Sequence, residues 1–175
     1  MTDERRWDEL VARVGEPIGV SQPEVVEQAT VDQHAETTGD AQWIHNDPER
    51  ARREGPFGGP IVQGFLLLSM LTAHVGQQAL ASLGPVTMGI NYGFDRVRFL
   101  APVPVGVAVR MRSTLAEVRP KADGSAVVGI DVWIEVVDVL NPDGSDPDPD
   151  GSDPDPDGGE ATSAVVARWL FLAVP

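Results

Sequence analysis

Asp40 and His45 are the two side chains whose types and spacing best fit acid–base chemistry in this 175-residue chain. They lie five residues apart in a loop-like stretch, rich in glycine and proline, that spans residues 38–65. A carboxylate and an imidazole brought together can hold one water molecule, with one group accepting a proton while the other supplies one. Asp40 also has a simpler interpretation, because an aspartate ahead of a helix often caps it. The spacing by itself leaves both interpretations open.

Gly64 is a third candidate, because it stands near the start of the apolar segment 60–83. A glycine offers its backbone N–H without a side chain in the way. At the first turn of a helix, this N–H lies at the positive end of the helix dipole and can stabilise a developing oxyanion. The three residues together could therefore carry acid–base chemistry in which negative charge develops on an oxygen atom.

The remaining histidines and acids near these residues have structural interpretations. His34 falls on the apolar stripe of a short helix and is expected to pack there. His74 lies within the apolar segment, where a hydrogen-bonded core histidine is the more common case. His45 and Asp47 could form a pair of metal ligands. The order Asp47-Pro48-Glu49 favours instead an N-cap for a short helix over residues 48–53, so we expect no metal.

The elements that must hold these residues follow from the hydrophobic pattern. Residues 28–38 have apolar positions at helical spacing, and Gly39 is expected to end that helix. Residues 60–83 are apolar on nearly all sides, so a long helix there should be fully buried. Three later segments alternate or are rich in β-branched residues and are predicted strands: 103–118, 126–140 and 161–174. A buried helix wrapped by an antiparallel sheet is an α+β arrangement, and the whole chain, 1–175, is expected to form one such domain.

Three blocks of sequence resemble the MaoC-like hydratases, the (R)-specific enoyl-CoA hydratase branch of the hotdog-fold superfamily. They are TGDAQWIHNDPERA (38–51), GPFGGPIVQGF (55–65) and INYGFDRVRFLAPVPVG (90–106), which ends in the R-F-x-x-P-V-x-x-G signature. The resemblance implies the hotdog fold, a homodimer and a role in fatty acid metabolism. It implies reversible syn addition of water to a trans-2-enoyl-CoA, without a cofactor, since CoA is part of the substrate.

The same resemblance assigns roles to individual residues. Asp40 and His45 match the Asp and His that bind the water, activate its oxygen for attack at C3 and protonate C2. Gly64 matches the glycine whose N–H polarises the thioester carbonyl. The positions near the acyl pocket and the substrate channel are, by this resemblance, Thr72, Asn91, Tyr92 and Gly93.

The chain departs from the family pattern at three positions near this site. Gln42 and Trp43 replace the usual Asn-Pro between the Asp and the His, and Gln63 stands where many relatives have His. A bulky tryptophan beside the site can alter its shape, so the acyl chain length preferred by relatives does not transfer.

Two other functions stay open at this point. A hotdog acyl-CoA thioesterase usually carries an acid on its central helix, and residues 61–88 contain none. A subunit that binds acyl-CoA without catalysis would be free to lose Asp40 and His45, and both are present.

Composition narrows the remaining classes. The formal net charge of −14 argues against nucleic acid and anionic membranes, because both bind mainly through lysine and arginine. The absence of cysteine excludes thiolate catalysis and Cys-ligated metals. The charged N-terminus has no apolar stretch of the kind found in signal peptides, so we expect a cytoplasmic protein. The phosphates of CoA must then be met by arginines, with three candidates: Arg96, Arg98 and Arg110.

Half of the net charge lies in residues 141–159, which contain seven aspartates and repeat the heptad DGSDPDP. Proline, glycine and repelling carboxylates oppose helix and strand, so a disordered hairpin connection is expected there. Calcium binding is the alternative, but the EF-hand pattern with its closing Glu is absent.

Overall fold

The structure is a computed structural model that describes residues 3–82, 86–137 and 162–175. The acidic segment 141–159, for which disorder was predicted, lies outside the described residues. The helical elements are α1 (Asp3–Val11), α2 (Gln28–Thr38), α3 (Trp43–Asn46), α4 (Pro48–Glu54), α5 (Gly64–Leu71), a π-helical turn (Thr72–Gly76) and α6 (Gln77–Ser82). The strands are β1 (Pro17–Val20), β2 (Glu24–Val25), β3 (Met88–Phe99), β4 (Ala108–Pro120), β5 (Ala126–Val137) and β6 (Thr162–Val174).

One antiparallel sheet carries all six strands, in the order β1-β4-β5-β6-β3, with β2 also paired to β4. The helical stretch 64–82 packs against one face of this sheet. Its buried leucines meet alternate residues of the strands, such as Ile130, Ile134 and Trp169. The predicted α+β fold, with an antiparallel sheet around a long central helix, is confirmed.

The short helices begin and end where their residues require it. Gly39 adopts a left-handed conformation (φ 81°) at the end of α2, which only glycine does without strain. The Asp47 carboxylate accepts a hydrogen bond from the Arg50 N–H at 2.9 Å and caps α4. Both predictions are confirmed, and Asp47 is thereby a structural residue.

The central helix differs from its prediction in two ways. It begins at Gly64, after an extended stretch, and its middle turn is π-helical. It is also not buried on all sides. Phe65 is 71% exposed, and Ser69, Thr72 and Ala73 are exposed with it.

The outer face of the sheet, opposite the helix, carries paired charges. Glu135 is almost fully buried and accepts hydrogen bonds from Arg110 at 3.0 Å and Arg112 at 3.1 Å. Arg168 binds Asp131 through two hydrogen bonds of 2.8 Å, which raise the pKa of this guanidinium above its usual value. Arg110, one of the arginines considered for CoA, is thus already paired within the chain.

Candidate active site

His45 lies on α3 and is held in a fixed orientation. Its side chain is buried, with 7% of the residue exposed, and its Nδ1 lies 2.6 Å from the Ile61 carbonyl oxygen. A carbonyl oxygen can only accept a hydrogen bond, so Nδ1 must carry the proton in this contact. The neutral ring then presents Nε2 with a free lone pair. His45 is thereby poised to exchange a proton at Nε2 alone.

The segment that carries the Ile61 carbonyl is itself fixed on both sides. The Ile61 N–H donates to the Ile44 carbonyl at 3.0 Å, and the next N–H, of Val62, donates to the Val103 carbonyl at 2.8 Å. The His45 ring and the start of α5 therefore share one rigid connection. Sequence reasoning had no signal for the Ile61 contact, because it is made by a backbone atom.

Asp40 follows Gly39 in the short connection between α2 and α3. Its backbone N–H faces the Thr38 hydroxyl at 3.3 Å, and the residue is half-buried. Among the described residues, no hydrogen bond or ion pair engages its carboxylate. An unpaired carboxylate between two helices, three residues before α3 begins at Trp43, is available to bind a substrate or a water molecule.

A polar cluster on α2 positions the backbone of α3. The Gln28 amide Nε2 donates to the His45 carbonyl at 2.8 Å and to Asp32 Oδ1 at 2.9 Å. The Asn46 amide donates to the same Asp32 oxygen at 2.7 Å. The Asp32 Oδ1 atom thus accepts hydrogen bonds from two side-chain amides: that of Gln28, which binds the His45 carbonyl, and that of Asn46, which follows His45. This cluster was not predicted, since its contacts from α2 to α3 join residues 14 and 17 positions apart, and the Gln28–Asp32 pair within α2 does not by itself indicate them.

Gly64 is the first residue of α5, where the backbone N–H has no acceptor within the helix. A Cβ atom at this position would lie 2.6 Å from the Phe99 ring, so only glycine fits. The ring of Phe99 therefore packs directly over the Gly64 backbone. The N–H at this helix end can stabilise negative charge on a bound oxygen atom.

The predicted substrate-binding residues lie further along the central helix and on β3. Thr72 and Asn91 line the same open cavity of about 150 Å³. Tyr92 and Gly93 are not among the residues that line it. The Tyr92 ring lies under the Lys121 amine, 5.4 Å from its centre, and is 58% exposed. The structure thus brings Thr72 and Asn91 together, and the substrate-binding roles of all four residues stay predictions.

Within the described residues, no group of three or more His, Cys, Asp or Glu side chains could hold a metal ion. His74, expected to be a satisfied core histidine, contacts Glu24 through Nε2 at 2.7 Å. None of the helices in ranges 3–82, 86–137 and 162–175 is long and apolar enough to cross a membrane.

Residues 9–136 match the family model described as a MaoC like domain. The chain is 40% identical over 134 residues to a 3-hydroxyacyl-thioester dehydratase Z from Mycobacterium tuberculosis, covering 77% of this chain and 87% of the relative. It is equally similar, at 40% over 134 residues, to nodulation protein N from Rhizobium leguminosarum bv. viciae, covering 77% of this chain and 83% of the relative.

Solved structures show the same fold. The (R)-hydratase from A. caviae aligns with a TM-score of 0.63 and 22% identity, over 93% of this chain and 96% of that chain. A monoamine oxidase regulatory protein from Archaeoglobus aligns with a TM-score of 0.69 and 24% identity, over 93% and 91% of the two chains.

Proposed function

Because the chain belongs to the MaoC-like dehydratase family, we propose that it is an (R)-specific enoyl-CoA hydratase, acting reversibly as a 3-hydroxyacyl-CoA dehydratase. The relative named 3-hydroxyacyl-thioester dehydratase Z supports this reaction class, since it matches along most of its length. The observation that carries the proposal is the His45 Nδ1–Ile61 contact, which leaves Nε2 as the one ring atom that can exchange a proton.

In the proposed reaction, one water molecule supplies both added groups. It is held between the Asp40 carboxylate and His45 Nε2, so that its oxygen forms a bond to C3 of the trans-2-enoyl thioester. The C2–C3 double bond becomes a single bond, and C2 receives a proton through the same Asp40–His45 pair. Because one pair of groups delivers both the hydroxyl and the proton, both arrive on one face of the double bond, which is syn addition.

The thioester carbonyl needs a separate partner. As the nucleophile adds to C3, negative charge moves onto the carbonyl oxygen. The Gly64 N–H, at the positive end of α5, is the donor we assign to that oxygen. Because the rigid connection through Ile61 and Val62 joins His45 to this helix end, the acid–base group and the oxyanion donor keep a constant separation.

We also propose that the protein acts as a homodimer joined along β3. This strand is hydrogen-bonded only to β6, and its other edge has no partner among the described strands. Five of its large apolar side chains are between 40% and 58% exposed: Met88, Ile90, Tyr92, Phe94 and Phe99. A twelve-residue edge strand with five exposed apolar side chains favours pairing with another strand, and a second copy of β3 would continue the sheet about a two-fold axis.

The function is tested by incubating the purified chain with trans-2-enoyl-CoA substrates of increasing length, beginning with crotonyl-CoA. The expected result is loss of the absorbance of the conjugated thioester, with an (R)-3-hydroxyacyl-CoA as product. A thiol reagent added to the same reaction detects free CoA. Release of free CoA in place of hydration would identify a thioesterase, and binding without turnover would identify a non-catalytic acyl-CoA-binding subunit.

Asp32 is predicted to be a positioning residue for His45. The variant Asp32→Ala removes the acceptor shared by Gln28 and Asn46, so Asn46 loses its hydrogen bond to α2 and the Gln28 amide, which binds the His45 carbonyl, is held less firmly. Because small misplacements of a reacting group slow catalysis strongly, we expect kcat to fall about tenfold with little change in KM. The exposed neighbour Gln33→Ala is the matched control and should keep normal kinetics. Equal losses in both variants would show a general effect on α2 and contradict the assignment.

A further inference from the structure

The exposed side of the central helix begins with Phe65, beside the proposed oxyanion donor, and continues towards the far end with three small side chains. Ser69, Thr72 and Ala73 are exposed, whereas the opposite side is buried in the core. β3 runs beside this helix in the opposite direction. Its Phe99 packs on Gly64 at one end, and its Gly89 approaches Leu80 at the other. The helix and the strand therefore bound a groove that begins at the candidate active site.

The far half of this groove widens into the cavity of about 150 Å³. Its size depends on two glycines. A Cβ at Gly76 would lie 3.4 Å from the Trp169 ring, and a Cβ at Gly89 would lie 2.8 Å from the Leu80 side chain, so larger residues would fill the space. The Trp169 indole N–H donates to the Asn91 side chain at 3.0 Å, which fixes the wall of the cavity.

The helix turn beside the cavity is π-helical, from Thr72 to Gly76. Turns of this type are uncommon and occur frequently at functional sites. Here the turn carries Thr72 and Gly76, both of which line the cavity. The irregular turn and the cavity thus coincide, at a distance from the residues that carry the chemistry.

The distance between Gly64 and the cavity determines how long a substrate must be to reach the cavity. Thr72 is eight residues beyond Gly64, which corresponds to about 12 Å along the helix axis. Each carbon–carbon bond of about 1.5 Å advances an extended chain by about 1.3 Å. Because helix side chains point back towards the N-terminus, an acyl chain whose thioester lies at Gly64 reaches the cavity at about its eighth carbon. A four-carbon chain ends well before it.

We propose that the cavity receives the end of the acyl chain, so that the enzyme prefers medium-chain trans-2-enoyl thioesters of about eight to twelve carbons, with Gly76 and Leu80 setting the limit. This inference rests on the proposed function. A cavity of about 150 Å³ is large enough to hold benzene, which allows roughly four to six further carbons. The mostly apolar lining fits a hydrocarbon, and no charged side chain lines it.

The first test is the chain-length series from four to sixteen carbons with the wild-type protein. Each fully buried methylene is worth up to about fourfold in binding. We therefore expect kcat/KM at ten carbons to exceed that at four carbons at least tenfold, and to fall again beyond about twelve. A preference for four carbons would overturn the inference and leave the hydratase function standing. Failure to hydrate any length would instead overturn the proposed function.

The second test changes the cavity in both directions. Gly76→Leu fills it, and the ratio of kcat/KM at ten carbons to that at four should fall at least tenfold. Leu80→Ala enlarges it, and the preferred length should increase by about two to four carbons. Ala81→Leu adds the same kind of bulk at an exposed position outside the cavity lining, and should keep the wild-type ratio.

A milder variant keeps the inference testable if Gly76→Leu does not fold. Gly76→Ala adds one methyl group at an ordinary contact distance of 3.4 Å from Trp169, so the protein should fold. Its ratio should fall by a smaller factor, in the same direction as that of Gly76→Leu. An unchanged ratio in Gly76→Ala together with an unchanged length optimum in Leu80→Ala would show that the acyl chain does not enter the cavity.

Discussion

His45→Gln and Asp40→Asn are each expected to lower kcat/KM for enoyl-CoA hydration by about 10²- to 10⁴-fold, the range typical of a lost general acid or base. His45→Gln removes the Nε2 lone pair, and Asp40→Asn removes the negative charge without changing the shape of the side chain. The hydration assay at saturating and limiting substrate checks the prediction. Because the two groups act on one water molecule, the double variant should be little worse than either single variant.

The two variants should differ in stability, which separates catalysis from folding. The Asp40 carboxylate has no partner among the described residues, so Asp40→Asn should leave the free energy of unfolding unchanged. His45→Gln removes the contact to the Ile61 carbonyl, and about 1 kcal/mol of stability should be lost. His34→Gln and Asp8→Asn are the matched controls for a lost imidazole and a lost carboxylate. Near-normal activity in either site variant would contradict the proposed mechanism.

Local patterns in the sequence predicted the short elements around the site well. The helix over residues 28–38 has the predicted bounds, because Val31 and Ala35 form its buried stripe and Gly39 supplies the left-handed residue that ends it. Asp47 caps the next helix as its order with Pro48 indicated. These features depend on residues within one or two turns of each other, so their physical cause is visible in the sequence.

Elements whose state depends on distant partners were predicted less well. The first strand candidate, 103–118, begins only at residue 108, because the chain turns at Gly106, where φ is 89°. The central helix was expected to be buried on every side, yet Phe65 is exposed. An apolar sequence pattern predicts that side chains will be buried. It does not indicate whether they are buried within the same chain or against another molecule.

The candidate site shows the same difference between features set by local sequence and features set by distant contacts. Asp40, His45 and Gly64 were predicted from residue types, spacing and family resemblance, and the structure places Asp40 between α2 and α3, His45 on α3 and Gly64 at the start of α5. The groups that hold His45 in place were not predicted. The Ile61 carbonyl is a backbone atom, and the Gln28–Asp32–Asn46 cluster forms only when α2 and α3 pack together. The residue types determine which reactions the side chains can perform, and these are visible in the sequence. The orientation of His45 depends on tertiary contacts, which are not.

The wild-type protein is expected to have a mass in solution about twice the 18.7 kDa of the chain, and the double variant Ile90→Lys/Phe94→Lys is expected to be a monomer. Ile90 and Phe94 are 44% and 40% exposed on the unpaired edge of β3. When two copies of this strand pair about a two-fold axis, the introduced lysines of the two copies come close and repel. Analytical ultracentrifugation at micromolar concentration measures the change. Because like charges brought together at an interface cost several kcal/mol, we expect association to weaken about a thousandfold.

The control for this experiment places the same charges elsewhere. Val11→Lys/Val14→Lys replaces two apolar side chains with similar exposure, 44% each, at the end of α1 and in the turn that follows it. This variant should stay dimeric, and circular dichroism should show the same folded content in all three proteins. A monomeric wild-type protein would show that the β3 edge is not an interface between copies. A dimeric β3 variant would show that the copies associate through another surface. The β3 contact would then not account for the exposed Phe65 on the central helix. If the prediction holds, one symmetric contact explains both the apolar edge strand and the exposed side of a helix whose sequence is apolar all round.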